Sequence, residues 1–113
     1  MIKVVNGKKA GFVGKDKIYI GRSNSFYNLK ASVLMNKFVI GKDGNREEVI
    51  EKYKKWLWME FKKGGEVYEE LVRIGKKVKE GESVELVCYC VPMGCHGNVV
   101  KRCIEWMIKD GLV

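Results

Sequence analysis

The feature that most constrains the fold of this chain is a short apolar segment at residues 84–89, with the sequence VELVCY. The segment is too short for a helix and rich in residues that favour β-structure, which predicts a buried central strand. In the sequence, segments with a helical pattern come both before and after it. We therefore predict one α/β domain over residues 1–113, with a small Rossmann-like sheet in two or three layers and about three main helices.

Three amphipathic patterns define those helices. Asn45 is a predicted N-cap for a helix that begins at Arg46, and apolar residues recur at helical spacing through Phe61. A second helix is predicted over residues 67–78, after two glycines that end the first. The last helix is expected to begin near His96 and to close near residue 111.

The N-terminal part favours strands. Residues 2–5 and 17–20 are β-branched or aromatic runs. Between them, Asn6-Gly7 predicts a hairpin turn into a further strand at residues 10–13. Residues 26–40 are expected to be irregular, because helical and strand patterns overlap there.

Composition narrows the functional class. No apolar run reaches the 18 or so residues of a membrane span, and the start of the chain lacks a signal-peptide core, so we expect a cytoplasmic protein, or one of the host cytoplasm if it is viral. The net charge of +8 leaves a nucleic-acid partner open, but the lysines are scattered rather than clustered. The sequence does not indicate an oligomeric state.

A cysteine-rich loop after the predicted central strand holds the most distinctive side chains, namely Cys88, Cys90, Cys95 and His96. These ligand types suit zinc, which takes four nitrogen or sulfur ligands in a tetrahedron. Paired C-x-x-C knuckles, the more specific zinc pattern, are absent. Zinc is therefore the alternative interpretation, and we expect no cofactor.

The same loop has a second interpretation as a site of chemistry. If the last helix begins near His96, Cys95 lies at its N-terminus, where free N–H groups favour a thiolate or bind an anion. A histidine beside it is suited to proton transfer. Cys95 and His96 are thus the candidate catalytic residues, whereas Cys103 lies on the apolar face of its helix as a core residue.

A candidate anion-binding loop follows the strand at residues 17–20. Gly21 permits close backbone approach, Arg22 can pair with a phosphate or carboxylate, and Ser23 adds a donor. Ligands of open α/β sheets lie beyond the carboxyl ends of parallel strands. If the strands are parallel, this loop and the cysteine loop meet there.

Several of these motifs resemble a family of small domains found in phages, viruses and cellular genomes, called domain of unknown function 4326. The resemblance covers most of the chain from Tyr19 onward. It is carried by the segments YIGR (19–22), LMNKF (34–38) and LVCYCVP (86–92), by CHGNVV (95–100), and by Arg46 with Tyr53, Trp56 and Leu57.

The resemblance implies an α/β fold and one shared site but no assigned reaction. The resemblance implies that the folded chain brings six residues together at that site, namely Arg22, Asn36, Arg46, Cys90, Cys95 and His96. Two positions depart from the usual family pattern, because Lys37 replaces a proline and Asn98 replaces an aspartate. Asn98 belongs to the candidate ligand set.

The leading hypothesis is a domain that binds or processes a nucleotide or another phosphate-bearing small molecule, with no membrane partner. The alternatives are a basic nucleic-acid-binding or viral accessory module without catalysis, and a small zinc-stabilised domain. Salt-dependent binding to arbitrary DNA would favour the first alternative.

Overall fold

A computed structural model describes residues 1–89 and 95–113 of the chain. It contains three strands and four helices in the order β1 (Ile2–Asn6), α1 (Gly7–Ala10), β2 (Lys17–Tyr19), α2 (Arg46–Lys63), α3 (Glu66–Lys79), β3 (Val84–Cys88) and α4 (His96–Lys109). The predicted α/β class is confirmed. No helix among these described residues is long and apolar enough to cross a membrane.

The sheet has the strand order β1-β3-β2, and both pairs of neighbours are parallel. The predicted position of residues 84–89 is therefore confirmed, because β3 lies in the centre. The register pairs Ile2 with Val84 and Ile18 with Leu86. Since all three strands run the same way, their carboxyl ends lie at one edge of the sheet.

One face of the sheet carries the hydrophobic core. Ile2, Val84 and Leu86 point to this face and are buried against α3 and α4. The third long helix, α2, packs on α3 and α4. The main helices thus cover one side of the sheet, which corresponds to the two-layer form of the predicted architecture.

The opposite face of the sheet carries polar and aromatic side chains around the buried Val87. Glu85 of β3 forms ion pairs with Lys17 at 3.1 Å and with Lys3 at 3.5 Å. The hydrogen bond from Lys17 and the charges of both lysines hold the pKa of the Glu85 carboxyl below its usual range. Nearby, the ring of Phe12 packs edge-on against Tyr19, with centroids 6.0 Å apart.

The predicted hairpin at Asn6-Gly7 is wrong. The side chain of Asn6 accepts a hydrogen bond from the backbone N–H of Lys8 at 2.9 Å and thereby caps the short helix α1. Residues 10–13 form no strand. The physical reason is that Asn serves a helix N-cap as readily as a turn, and β1 finds its partner in the distant β3.

The other local predictions hold. Asn45 caps α2 with a full capping box, in which its side chain accepts from the N–H of Glu48 and the Glu48 carboxylate accepts from the N–H of Asn45. Residues 26–40 contain turns but no helix or strand, as expected. Through these turns the chain passes from β2 to α2, along the carboxyl edge of the sheet.

Candidate functional site

A cavity of about 500 Å³ lies at the carboxyl ends of β2 and β3. Its lining comes from the loop after β2, the segment before α2, the first turns of α2, the end of β3 and the start of α4. The lining residues are Gly21, Arg22, Ser23, Asn24, Asn36, Phe38, Val39, Ile40, Arg46, Val49, Ile50, Cys88, Tyr89, Cys95 and His96. The two loops singled out in the sequence therefore meet at one site.

Arg22 is held in place by the irregular segment before α2. Its Nε donates to the backbone oxygen of Asn36 at 2.9 Å, and its Nη2 donates to the backbone oxygen of Phe38 at 2.9 Å. The side-chain oxygen of Asn36 accepts from the N–H of Phe38 and so shapes the same turn. The guanidinium is therefore oriented by two carbonyls before any ligand arrives.

A chain of hydrogen bonds fixes the backbone at Arg22. The hydroxyl of Tyr19 has one proton, which it donates to the backbone oxygen of Arg22 at 2.5 Å. The hydroxyl of Tyr89, 3.3 Å away, must then donate to Tyr19. The amide nitrogen of Asn24 in turn donates to Tyr89 at 2.7 Å. The chain of hydrogen bonds thus runs from Asn24 through Tyr89 and Tyr19 to the backbone oxygen of Arg22.

Gly21 leaves room for the side chain of Tyr19. A Cβ atom there would overlap the Tyr19 hydroxyl, the same group that bonds the next residue of the loop. Burial and the hydrogen bond with Tyr89 also raise the pKa of Tyr19 well above its usual range. Tyr19 therefore keeps its proton and its bond to the loop at any ordinary pH.

The start of α4 brings Cys95 to the cavity. Cys95 is the N-cap residue, and its Sγ accepts a hydrogen bond from the N–H of Gly97 at 3.3 Å. Position 97 has no room for a side chain, because a Cβ would lie 2.8 Å from Cγ1 of Val4 in β1. The N-terminus of α4 therefore lies directly against β1 of the sheet.

His96 is buried, with 7% of its surface exposed, and its ring is held from two sides. Its Nε2 lies 2.7 Å from the backbone oxygen of Ile20. Because a carbonyl only accepts, Nε2 carries a proton, and in the neutral ring Nδ1 is the acceptor. That Nδ1 lies 3.7 Å from Sγ of Cys95, while the ring of Tyr53 packs edge-on at 5.0 Å.

Tyr53 supports this arrangement from α2. Its hydroxyl is completely buried and donates to the backbone oxygen of Leu34 at 2.6 Å. Burial raises the pKa of Tyr53 far above its usual value, so the hydroxyl remains a donor. One side chain thus contacts both the histidine ring and the segment that leads to Asn36.

The cysteines occupy different surroundings. Cys88 and Cys95 are both buried, and their Sγ atoms are 3.0 Å apart. Cys103 is half-buried on α4, away from this cavity, and burial raises its pKa to about 11. Cys90 lies outside the described residues. Within residues 1–89 and 95–113, no group of three or more His, Cys, Asp and Glu side chains is placed to hold a metal ion.

Most residues predicted for the site line this one cavity, namely Gly21, Arg22, Ser23, Asn36, Arg46, Cys95 and His96. Asn98 is exposed in the first turn of α4 and is not among the lining residues. Asn24 and Tyr89 also line the cavity and were not among the predicted site residues. Tyr89 ends the apolar segment at residues 84–89, so its position at a strand end was the available signal.

Comparison with known families identifies one match. The model of the family described as Domain of unknown function (DUF4326) matches residues 5–106. The matched region extends further towards the N-terminus than the motifs from Tyr19 onward and includes the last two residues of β1, Val5 and Asn6. No curated protein and no solved structure matches the chain.

Proposed function

The chain belongs to the family Domain of unknown function (DUF4326), and we propose that its cavity binds a nucleotide or another small phosphate-bearing molecule. One observation carries this proposal. Arg22, Arg46 and the N-terminal residues of α4 line a single cavity at the carboxyl ends of two parallel strands. Positive side chains and helix N-termini at this edge of a sheet are the usual means by which α/β domains hold phosphate.

Arg22 is the principal phosphate ligand in this proposal. Its Nε and Nη2 are bonded to backbone oxygens, whereas Nη1 makes no hydrogen bond to a residue in the described part of the chain. The guanidinium is exposed, so a ligand can reach it. An arginine that is already oriented loses less conformational freedom on binding than a mobile lysine does.

The size and composition of the cavity suit more than a bare phosphate ion. Its volume of about 500 Å³ lies within the range of small-molecule sites. Apolar side chains form part of the wall, namely Phe38, Val39, Ile40, Val49 and Ile50. A sugar or base can pack on this apolar part while the phosphate meets the arginines.

Any reaction on the bound molecule would involve Cys95 and His96. Sγ of Cys95 lies 3.7 Å from Nδ1 of His96, the ring nitrogen that is free of a proton in the neutral form. A thiol next to a proton acceptor is the arrangement of an activated nucleophile. We propose these two residues as the candidate catalytic pair if the ligand is processed as well as bound.

Isothermal titration calorimetry tests the proposal with four nucleoside monophosphates, the matching nucleosides and inorganic phosphate. We expect at least one nucleotide to bind, and its nucleoside to bind about tenfold more weakly because it lacks the charged partner of the arginines. Arg22→Lys keeps the charge but loses the planar fork, so it should weaken binding about tenfold.

Arg102→Lys is the matched control. Arg102 is exposed on α4 and does not line the cavity, so this variant should bind as the native protein does. Circular dichroism checks that each variant is folded. The proposal fails if no nucleotide binds, or if the substitutions at Arg22 and Arg102 have equal effects.

The net charge of +8 supports a second candidate, a module that binds nucleic acid through its phosphates. Binding of this kind weakens steeply as salt rises and does not depend on the cavity. Binding to arbitrary DNA that is unchanged by Cys95→Ser and His96→Ala would favour this candidate.

A further inference from the structure

Two thiols are in direct contact in the described part of the molecule, those of Cys88 and Cys95, with Sγ atoms 3.0 Å apart. We infer that these two cysteines form a reversible dithiol–disulfide pair in the wall of the cavity, with a hydroperoxide as the oxidant. This inference does not depend on the nucleotide proposal, because the oxidation requires no bound ligand.

The geometry needs little change to form the bond. A disulfide has its sulfur atoms about 2.05 Å apart, so the two atoms must approach by about 1 Å. Cys88 is the last residue of β3, and Cys95 is the N-cap of α4. The bond would therefore join the end of the central strand directly to the start of the helix that follows it.

The pair has a route to a small oxidant despite its burial. Cys88 and Cys95 are only 1% and 2% exposed. Both nevertheless line the cavity, so a molecule the size of hydrogen peroxide can reach them through it. Cys103 lies elsewhere on α4, and with its pKa raised to about 11 it is largely protonated at neutral pH.

His96 and Gly97 mark Cys95 as the thiol that attacks first. Its proton moves to Nδ1 of His96, and the N–H of Gly97 stabilises the thiolate that remains. The thiolate attacks one oxygen of the hydroperoxide, the O–O bond breaks, and a sulfenic acid forms on Cys95. The departing alkoxide or hydroxide takes the proton from His96.

Cys88 then completes the reaction. Its thiol attacks the sulfur of the Cys95 sulfenic acid, an S–S bond forms, and the hydroxyl group leaves as water with the Cys88 proton. In total, two thiols lose two electrons and two protons, and one hydroperoxide is reduced to an alcohol, or to water, and a further water. A dithiol reductant reverses the change by exchange.

The reduced protein is treated with stoichiometric hydrogen peroxide and then unfolded for thiol counting and peptide mapping. The count should fall from four thiols to two, and the map should show a Cys88–Cys95 crosslink that dithiothreitol removes. In Cys88→Ser the second step is blocked, so dimedone should trap a sulfenic acid on Cys95. The trapping needs no stable disulfide and therefore tests the first step separately.

Cys103→Ser and Cys90→Ser are the controls, and both should still form the crosslink. Four thiols after treatment, or a preferred crosslink through Cys90, would overturn the inference. So would stoichiometric zinc that protects the thiols from peroxide. A protein that forms the disulfide but binds no nucleotide refutes only the proposed function, so the two failures are distinguishable.

Discussion

Removing one oxygen atom from the core tests how the segment before α2 is held. Tyr53→Phe deletes the hydroxyl that donates to the backbone oxygen of Leu34 at 2.6 Å. Tyr53 and Leu34 are both completely buried, so water cannot replace the lost donor without a rearrangement. Leaving a buried acceptor unsatisfied costs about 1–3 kcal/mol, and we expect the free energy of unfolding to fall by about that amount.

Urea denaturation followed by circular dichroism measures this difference directly. Tyr68→Phe is the matched control, because Tyr68 is half-buried on α3 and its hydroxyl makes no hydrogen bond to a described residue. The control should change the free energy of unfolding by less than about 0.5 kcal/mol. Equal effects of the two substitutions would refute the argument that the bond to Leu34 anchors the segment.

Four further predictions concern α4, the cysteines and metal removal. Gly97→Ala places a Cβ 2.8 Å from Cγ1 of Val4, so urea denaturation should show a loss of about 1–3 kcal/mol despite the better helix propensity of alanine. Because burial raises the pKa of Cys103 from 9.0 to about 11, the unfolded chain loses this proton first. Stability should therefore be unaffected by Cys103 below pH 9 and fall as pH rises from there towards 11, and Cys103→Ala should remove this part of the fall. Iodoacetamide at pH 8, with peptide mapping, should label Cys95 faster than Cys103 in the native protein, and equal rates would contradict the role given to the start of α4. Finally, dialysis against a chelator should leave the melting temperature unchanged, because the core is built from helices and strands; stoichiometric zinc by elemental analysis, with unfolding on its removal, would contradict this.

The sequence predicts local structure well where a single interaction decides it. The capping box at Asn45 depends on residues three apart, and the helix begins where those residues place it. The central position of β3 agrees with its apolar run, because four of its five residues are buried and it has a neighbouring strand on each side. Asn6-Gly7 is compatible with both a hairpin turn and a helix N-cap. The parallel pairing of β1 with β3 excludes the hairpin, and Asn6 caps α1 instead.

The cavity was predictable in outline but not in detail. Parallel strands bring the loops after β2 and β3 to one edge, which places Arg22 near Cys95 and His96. The roles of Tyr89 and Gly97 depend on contacts across 70 or more positions, with Tyr19 and with Val4. Such contacts leave no periodic pattern in the sequence, so they appear only in the folded chain.

The strand order has a consequence for how the chain acquires its fold. β1 and β2 are not neighbours, and each is paired with β3, which ends at Cys88. On a ribosome, neither early strand therefore has its native partner until β3, which follows α2 and α3 in the chain, has been made. Pairing across such long stretches of chain is slow, because the entropy of closing the loop is lost before the contacts form. The helices α2 and α3 are synthesised before β3. We therefore expect an intermediate in which these two helices have formed and the sheet has not.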